Sequence, residues 1–516
     1  MWFPTGDILI YLCSKSESHR YQPSFKLSAS ILRKKSEFFT TALSERWQEH
    51  SATHRQTLVK EGARYILYFP PWESSDESYE EEDSRNLKAE ADFHDLLNQL
   101  VATRNFFAYL FGRPAVYLED PLGGSLLSDF MDRMEMYVLG SNADIKGRPT
   151  REQTLREIEL WIRIKELDDS RKAPHKIIDT LLISERYQWT EIYTEGFIHA
   201  SGRYDFIFNL SDFTLLSPST KQLLERASYS IKARVRTTEA SLSSFSFPIL
   251  SSSRPRQSGT RRRRSDDMNI EIPRAWRRSY SSFRKWVVQY YTAIFRVRSW
   301  PPAHFSRGMI LMLQNDFKAL YDLLIDDSAN IDRDDHYRRL LSQVLTDFNP
   351  FPFSGPPPLP RLPALPLETS PSHNRRQSRE AISVVLLDSY NLLTTSSGGN
   401  KFVEAFKEFE RDYGANRVVT KSVEAREGRW CLVVAVLATL RGVVDEWVGL
   451  RYGWGVEYWL CAELKDVPPW SARRSASALS RGRGTGLVSR TDTDVDEDDE
   501  EEDEEPVRRP GRSVFG

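Results

Sequence analysis

The sequence predicts an α+β, mainly helical protein: a small α/β module at the N-terminal end, then helical blocks, disordered linkers and a C-terminal tail. Three observations carry this. Short β-favouring runs gather near the N-terminal end, whereas apolar residues recur at helical spacing from about Phe93 onward. Between these blocks lie stretches rich in Ser, Arg, Pro or acid that cannot build a core. The 516 residues are 40% apolar with 13 Trp, 21 Tyr and 27 Phe, which is enough for two to four folding units.

The opening reads as strand, strand, helix. Ile8–Leu12 is β-favouring, and Phe25-Lys26-Leu27 alternates as a half-buried strand does. Ser28 or Ser30 then caps a helix carrying Ile31, Leu32, Phe38, Phe39 and Leu43. Tyr65–Phe69 is a third strand, stopped by Pro70-Pro71, and a solvated acidic loop (73–90) follows. Phe93, Leu96, Leu97, Leu100 and Val101 mark one face of a helix that ends at Gly112. Leu155, Ile158 and Ile162 mark another, and Ile177–Ala200 is largely helical in pattern. Ser217-Pro218 opens a helix with Ser as N-cap and Pro in the first turn, and its apolar face is Leu224, Ala227, Ile231 and Val235.

Residues 1–250 therefore form the first module. A basic linker (251–272) precedes a helical block (273–348) containing Phe317-Leu320-Tyr321-Leu324-Ile325 at helical spacing. A proline-rich linker (349–380) holds eight of the 27 prolines between Pro350 and Pro366. A C-terminal α/β block (381–470) carries the amphipathic run Phe402, Phe406, Phe409, Tyr413 and a strand-like Tyr458-Trp459-Leu460. The tail (471–516) is disordered. It places twelve of the 73 acidic residues between Asp492 and Glu505, so the formal charge of -2 hides a basic remainder.

No reactive constellation assembles along the sequence. His50 and His54 lack a third metal ligand, and Asp326–Asp332 has Ile331 where a calcium loop needs Gly. Gly453-Trp454-Gly455 has no third glycine, Ser396–Lys401 lacks Walker spacing, and Gly123-Gly124-Ser125 is not a nucleophile elbow. Three scattered cysteines, Cys13, Cys431 and Cys461, suggest neither a disulfide framework nor a zinc site. No catalytic, cofactor-binding or metal residue is assigned, and the expectation is a protein that is not an enzyme and carries no cofactor. The N-terminus lacks a signal-peptide pattern and no run approaches the length of a bilayer span, so the protein is expected to be intracellular, cytoplasmic and/or nuclear, without a membrane partner.

Two basic segments bear on partners. Arg254, Arg256 and Arg261–Arg264 form either a solvated linker or an import or phosphate-binding patch. Arg274, Arg277, Arg278, Arg284 and Lys285 interleave with Trp276, Tyr280, Phe283 and Trp286, as on a single-strand nucleic-acid surface or on a basic helix with packed stems. Pro356–Pro363 is polyproline-like and reads as an SH3-type ligand or a connector laid over the folded blocks. Arg375-Arg376-Gln377-Ser378 and Arg262–Ser265 look like basophilic-kinase sites.

Gly6-Asp7 with Ile8–Leu12, then Pro23–Ser28 and Ile31-Leu32…Phe38-Phe39, resembles the start of a BTB/POZ domain. Leu181–Tyr187 with Ile192-Tyr193…Phe197-Ile198 is similar to the helical end of such domains. From about Gly6 to Trp470 the chain also resembles an uncharacterised filamentous-ascomycete family defined as a domain of unknown function. The phrases that carry this are Glu195–Ala200 with Gly202–Asp205, Ser299–Pro302, Leu320–Leu324, and Gly449–Arg451 through Gly455–Cys461. The second resemblance implies no activity; the first implies protein association, with self-association through the N-terminal module (1–120). The reading that follows is a non-enzymatic fungal scaffold or adaptor with protein partners. Its rival is a nuclear, nucleic-acid-associated regulator using the 254–286 basic segments.

Overall fold

Ile8-Leu9-Ile10-Tyr11 has no polar face, and in the computed structural model of the protein it becomes the fully buried central strand β1 (Ile8–Tyr11) of a three-stranded sheet. β2 (Phe25–Leu27) pairs antiparallel to it with Ile8 opposite Leu27, and β3 (Tyr65–Tyr68) pairs parallel with Ile8 opposite Tyr65, giving the order β2-β1-β3. The pleat sends alternate side chains to opposite faces. Ile8 and Ile10 enter a large core; Leu9 and Tyr11 enter a small one with Ile66 and Leu58, the last from α3 (Ala52–Glu61).

The structure describes residues 1–15, 18–44, 52–70, 82–116, 126–140, 148–171, 173–245, 274–325, 360–361, 385–386, 388–391, 399–414, 419–445 and 449–470. The chain divides into two units, Met1–Pro469 and Trp470–Gly516, and every element with a described range belongs to the first. Residues 73–81 of the acidic loop, the 251–272 linker with Arg254, Arg256 and Arg261–Arg264, residues 326–332, Gly123–Ser125, His50, Arg375–Ser378 and the acidic tail lie outside the described residues.

After β2 the expected single helix is two, α1 (Ala29–Lys35) and α2 (Glu37–Ala42), because Ser36 is extended between them and its hydroxyl donates to the Tyr137 carbonyl. Ser28 occupies the N-cap position, but its hydroxyl pairs with that of Ser30 and caps no backbone N–H; Asp7 accepts from the Ala29 N–H at 2.6 Å instead. Leu32, Phe39 and Leu43 are buried as expected. Around Phe39 gather Phe69, Phe106, Phe107 and Tyr137, with ring centroids 6.3–6.4 Å from it. Each fully buried side chain of this size contributes roughly 1.5–3 kcal/mol.

α4 (Glu82–Leu110) begins inside the stretch expected as a solvated loop, because Leu87-Lys88-Ala89-Glu90 favours helix, and it turns a different face inward from the one expected. Phe93 is 60% exposed and Leu96 38%, while Asn98, Gln99, Ala102, Asn105 and Phe106 are buried. The amides do not forbid this: Asn105 pairs with the Val116 backbone through both ends of its side chain, at 2.8 and 2.9 Å. α5 (Leu126–Met134) continues as one π-helical turn, Glu135–Leu139, and packs on α4. α6 (Arg151–Ile164) starts with a capping box from Thr150 and Gln153. The helical stretch 177–200 is interrupted where Gln188 takes a left-handed conformation, φ 56°, separating α7 (Pro174–Tyr187) from α8 (Thr190–Gly202).

A one-turn helix, α9 (Tyr204–Ile207), leads to α10 (Pro218–Ser244), whose N-cap Ser217 accepts from the Thr220 N–H as its sequence predicts. The remaining helices are α11 (Arg274–Ile294), α12 (Arg307–Leu324), α13 (Lys401–Gly414) and α14 (Val419–Val444). They share one core with the C-terminal half of α10, from Ile231 and Phe245 through Phe283, Phe317 and Phe406 to Trp430. From Trp430 to Leu440 α14 is apolar on nearly every side, the mark of a segment enclosed by other helices; α14 packs on α10, α11 and α12. Gly428 allows the closest approach, since a Cβ there would lie 2.6 Å from the Trp276 carbonyl oxygen. Tyr458-Trp459-Leu460, expected as strand-like, joins no sheet: its neighbours are helices, and its backbone runs irregularly across them.

Candidate functional site: a cleft between α8, α9 and α10

α8 carries four polar side chains into the interior, Thr194, Glu195, His199 and Ser201. Burial of a charge is costly unless it is paired, and Glu195 finds partners far along the chain: its carboxylate accepts from the N–H of Arg451 at 3.0 Å and of Tyr452 at 2.9 Å. His199 lies 3.4 Å from Glu195 through Nε2 and 2.6 Å from the Tyr458 hydroxyl through Nδ1. Tyr452 in turn donates to Asp168 at 2.9 Å; burial raises the Asp168 pKa, opposed by that hydrogen bond and by the Arg451 charge. Arg307 holds the same segment by donating to the carbonyls of Gly453 and Val456 at 3.1 and 2.9 Å. The Glu–His–Tyr series has the residue types of a proton relay, yet the Glu195 and His199 side chains are closed to solvent. In this geometry it clamps residues 449–461 onto α8.

A second buried cluster sits between α13 and α14. Glu410 is gripped by Arg426 at 2.6 and 3.1 Å and by Arg429 at 2.6 Å, and it accepts from Tyr390 at 2.6 Å. Burial alone would raise its pKa; the two guanidinium charges override this and hold it at about 2. Arg426 also donates to the Arg361 carbonyl at 3.1 Å, while the Arg361 N–H donates to Leu324 at 2.6 Å and Pro360 bridges to Ile325. At these two residues the proline-rich run lies against the folded helices; the rest of Pro356–Pro363 is outside the described residues.

The aromatic-basic alternation on α11 resolves into two faces. Trp276, Tyr280 and Phe283 are buried in the core, and Trp286 stacks on Phe409 at 5.0 Å, so these rings are not open for base stacking. Arg274, Arg278 and Lys285 face solvent. Cys13, Cys431 and Cys461 are buried, and none of the three forms a disulfide. Among the described residues no three His, Cys, Asp or Glu side chains are placed to share a metal ion.

A cleft of about 330 Å³ opens between α8, α9 and α10. α10 forms one wall with Ser228, Ile231, Lys232, Val235, Arg236 and Glu239; the end of α8, with Tyr204 and Asp205 of α9, forms the other, and Trp459 closes it. Gly202 is required here for close approach: a Cβ would overlap the Trp459 carbonyl oxygen and lie 2.8 Å from the Tyr458 ring. Lys232 pairs with Asp205 at 2.6 Å, and Glu239 accepts from the Phe305 N–H at 3.1 Å. Beside the cleft, Phe206, Phe208, Leu215 and Tyr229 are each more than half exposed. Phe208 packs edge-on against Phe213, which stands 6.0 Å from Tyr204.

Residues 156–247, from α6 through the end of α10, match a family model described as a domain of unknown function (DUF8004). All the cleft residues except Trp459 fall within the matched region. Neither the curated proteins nor the solved structures contain a match to the chain. No helix among the described residues is long and apolar enough to cross a membrane. The sequence alone marks none of the cleft residues as functional. The available signal was Ser228, Lys232 and Arg236 at i, i+4 and i+8, a polar stripe beside the apolar face of α10.

Proposed function

We propose that the protein is a non-enzymatic scaffold or adaptor of a fungus that binds protein partners. The observation supporting this is the group of exposed apolar side chains in the matched region: Phe206, Phe208, Leu215 and Tyr229 on α9, the turn after it and α10. Single exposed apolar residues are ordinary; several of this size within one short stretch characterise an interaction surface. The buried acid and base groups point the same way, since they are engaged in holding segments together.

The finer part of the reading concerns the N-terminal module. The strand–strand–helix opening that carries the BTB/POZ resemblance folds as β2-β1-β3 with α1 and α2, and self-association through 1–120 is the role it suggests. The test is affinity purification of the intact tagged protein from its host beside a variant carrying Phe206→Asp, Phe208→Asp and Tyr229→Asp. Partners lost from the variant, with its melting temperature unchanged, are the expected result; an identical partner set refutes the role of this surface.

A nuclear, nucleic-acid-associated regulator is the second reading, supported by the solvent-facing Arg274, Arg278 and Lys285. It requires binding to DNA or RNA that weakens steeply with salt.

A further inference from the structure

We infer that the cleft between α8, α9 and α10 binds a small organic oxyanion, a carboxylate or phosphate on an apolar body. This goes beyond the scaffold reading, because it stands on the polar groups inside the cleft and not on the exposed aromatic residues beside it.

The two acidic groups of the cleft already have partners: Asp205 is paired with Lys232, and Glu239 is bound to the Phe305 N–H. The hydrogen-bond donors are in a different state. Ser228 is only 4% exposed, yet its hydroxyl has no partner among the described residues, and neither has the Tyr204 hydroxyl, the Trp459 indole N–H or the Arg236 guanidinium. The Ser228 hydroxyl lines the cleft, where a ligand or water completes it. Ser228, Lys232 and Arg236 follow one another at four-residue intervals, so they stand on the same face of α10, one turn apart. Lys232 is shared with Asp205, so the open donors on this face are the Arg236 guanidinium and the Ser228 hydroxyl; an oxyanion accepts charge-assisted bonds from such groups. Ile231 and Val235 stand a turn apart on the same wall and, with the Trp459 ring, supply apolar contact for the rest of the molecule.

The walls are held before any ligand arrives. His199 bonds Tyr458, Arg234 donates to the Cys461 carbonyl, and Gly202 lets the Trp459 backbone lie directly against α8. Preorganised donors lose little freedom on binding. The volume lies at the lower end of the roughly 300–1,000 Å³ range of small-ligand sites, which suits a single ring or short chain with one anionic group.

The test is isothermal titration of the intact protein with phenyl phosphate and with phenylacetate, and with benzamidine as a cation of similar shape. One or both oxyanions bind, and the preferred one tells whether phosphate or carboxylate is the natural headgroup; benzamidine does not bind. Arg236→Gln changes an exposed side chain with no described partner, so its melting temperature stays as in the parent while oxyanion affinity falls at least about tenfold. The Phe206→Asp, Phe208→Asp, Tyr229→Asp variant retains oxyanion binding, which separates this inference from the scaffold reading. No heat from either oxyanion up to about 10 mM, benzamidine binding as tightly as they do, or an Arg236→Gln protein with parental affinity would each overturn it.

Discussion

The Tyr458 hydroxyl lies 2.6 Å from Nδ1 of His199, joining residues 259 positions apart across the seam between α8 and the 449–461 segment. Tyr458→Phe removes that bond and leaves a buried ring nitrogen without its partner, at a cost of about 1–3 kcal/mol. Urea denaturation of Tyr458→Phe, His199→Ala and the double variant checks it. The two single losses should sum to more than the double loss, because each removes the same contact; strict additivity contradicts the clamp.

Two glycines predict opposite outcomes. Gly202→Ala forces a methyl group into the Trp459 backbone and should destabilise the protein by about 1–3 kcal/mol. Gly442→Ala, in α14 with nothing within 4 Å of the added carbon, should be neutral or stabilising by up to about 1 kcal/mol. Thermal melts of both variants decide.

Glu410 governs the acid limb of stability. Its pKa of about 2 in the folded protein lies below the ordinary 4.5, so its contribution is present above about pH 4.5 and is lost as the pH falls through about 2. Glu410→Gln leaves Arg426 and Arg429 buried without a counter-charge and should cost about 3–5 kcal/mol at neutral pH. Stability measured from pH 2 to pH 7 should also lose part of its acid dependence.

Asp179 predicts the reverse slope. Its carboxylate accepts from the Leu127 and Ser128 N–H groups at 2.8 and 3.1 Å, but burial outweighs these bonds and pushes its pKa up to about 6 from 3.8. Its contribution is fully present below about pH 4 and is lost as the pH rises through about 6, an effect of up to about 3 kcal/mol. Asp179→Asn should flatten the profile between those values; an unchanged profile there contradicts the raised pKa.

Local signals were legible where local physics decides. Ile8–Tyr11 and Tyr65–Tyr68 are strands because they are short, apolar and bounded by turn residues. Ser217-Pro218 begins α10 because a cap and a fixed φ act within one turn. The wrong face of α4 has a tertiary cause: buried Asn105 satisfies its amide on Val116, which no periodicity rule foresees. The break at Ser36 likewise depends on Tyr137, about a hundred residues away. On α11 the pattern was visible but ambiguous, and the packing of Trp276 and Phe283 against α14 and α13 decided which face turns inward. The cleft was hidden because it needs Trp459 brought against α10, and the residues that bring it, Glu195, His199 and Gly202, look ordinary in sequence.

Hydrogen–deuterium exchange on the intact protein, with and without a partner captured from its host, tests the scaffold reading most directly. Slower exchange confined to residues 204–229 on partner binding is the predicted result. Protection limited to the N-terminal sheet or to α11, with 204–229 unchanged, would contradict it.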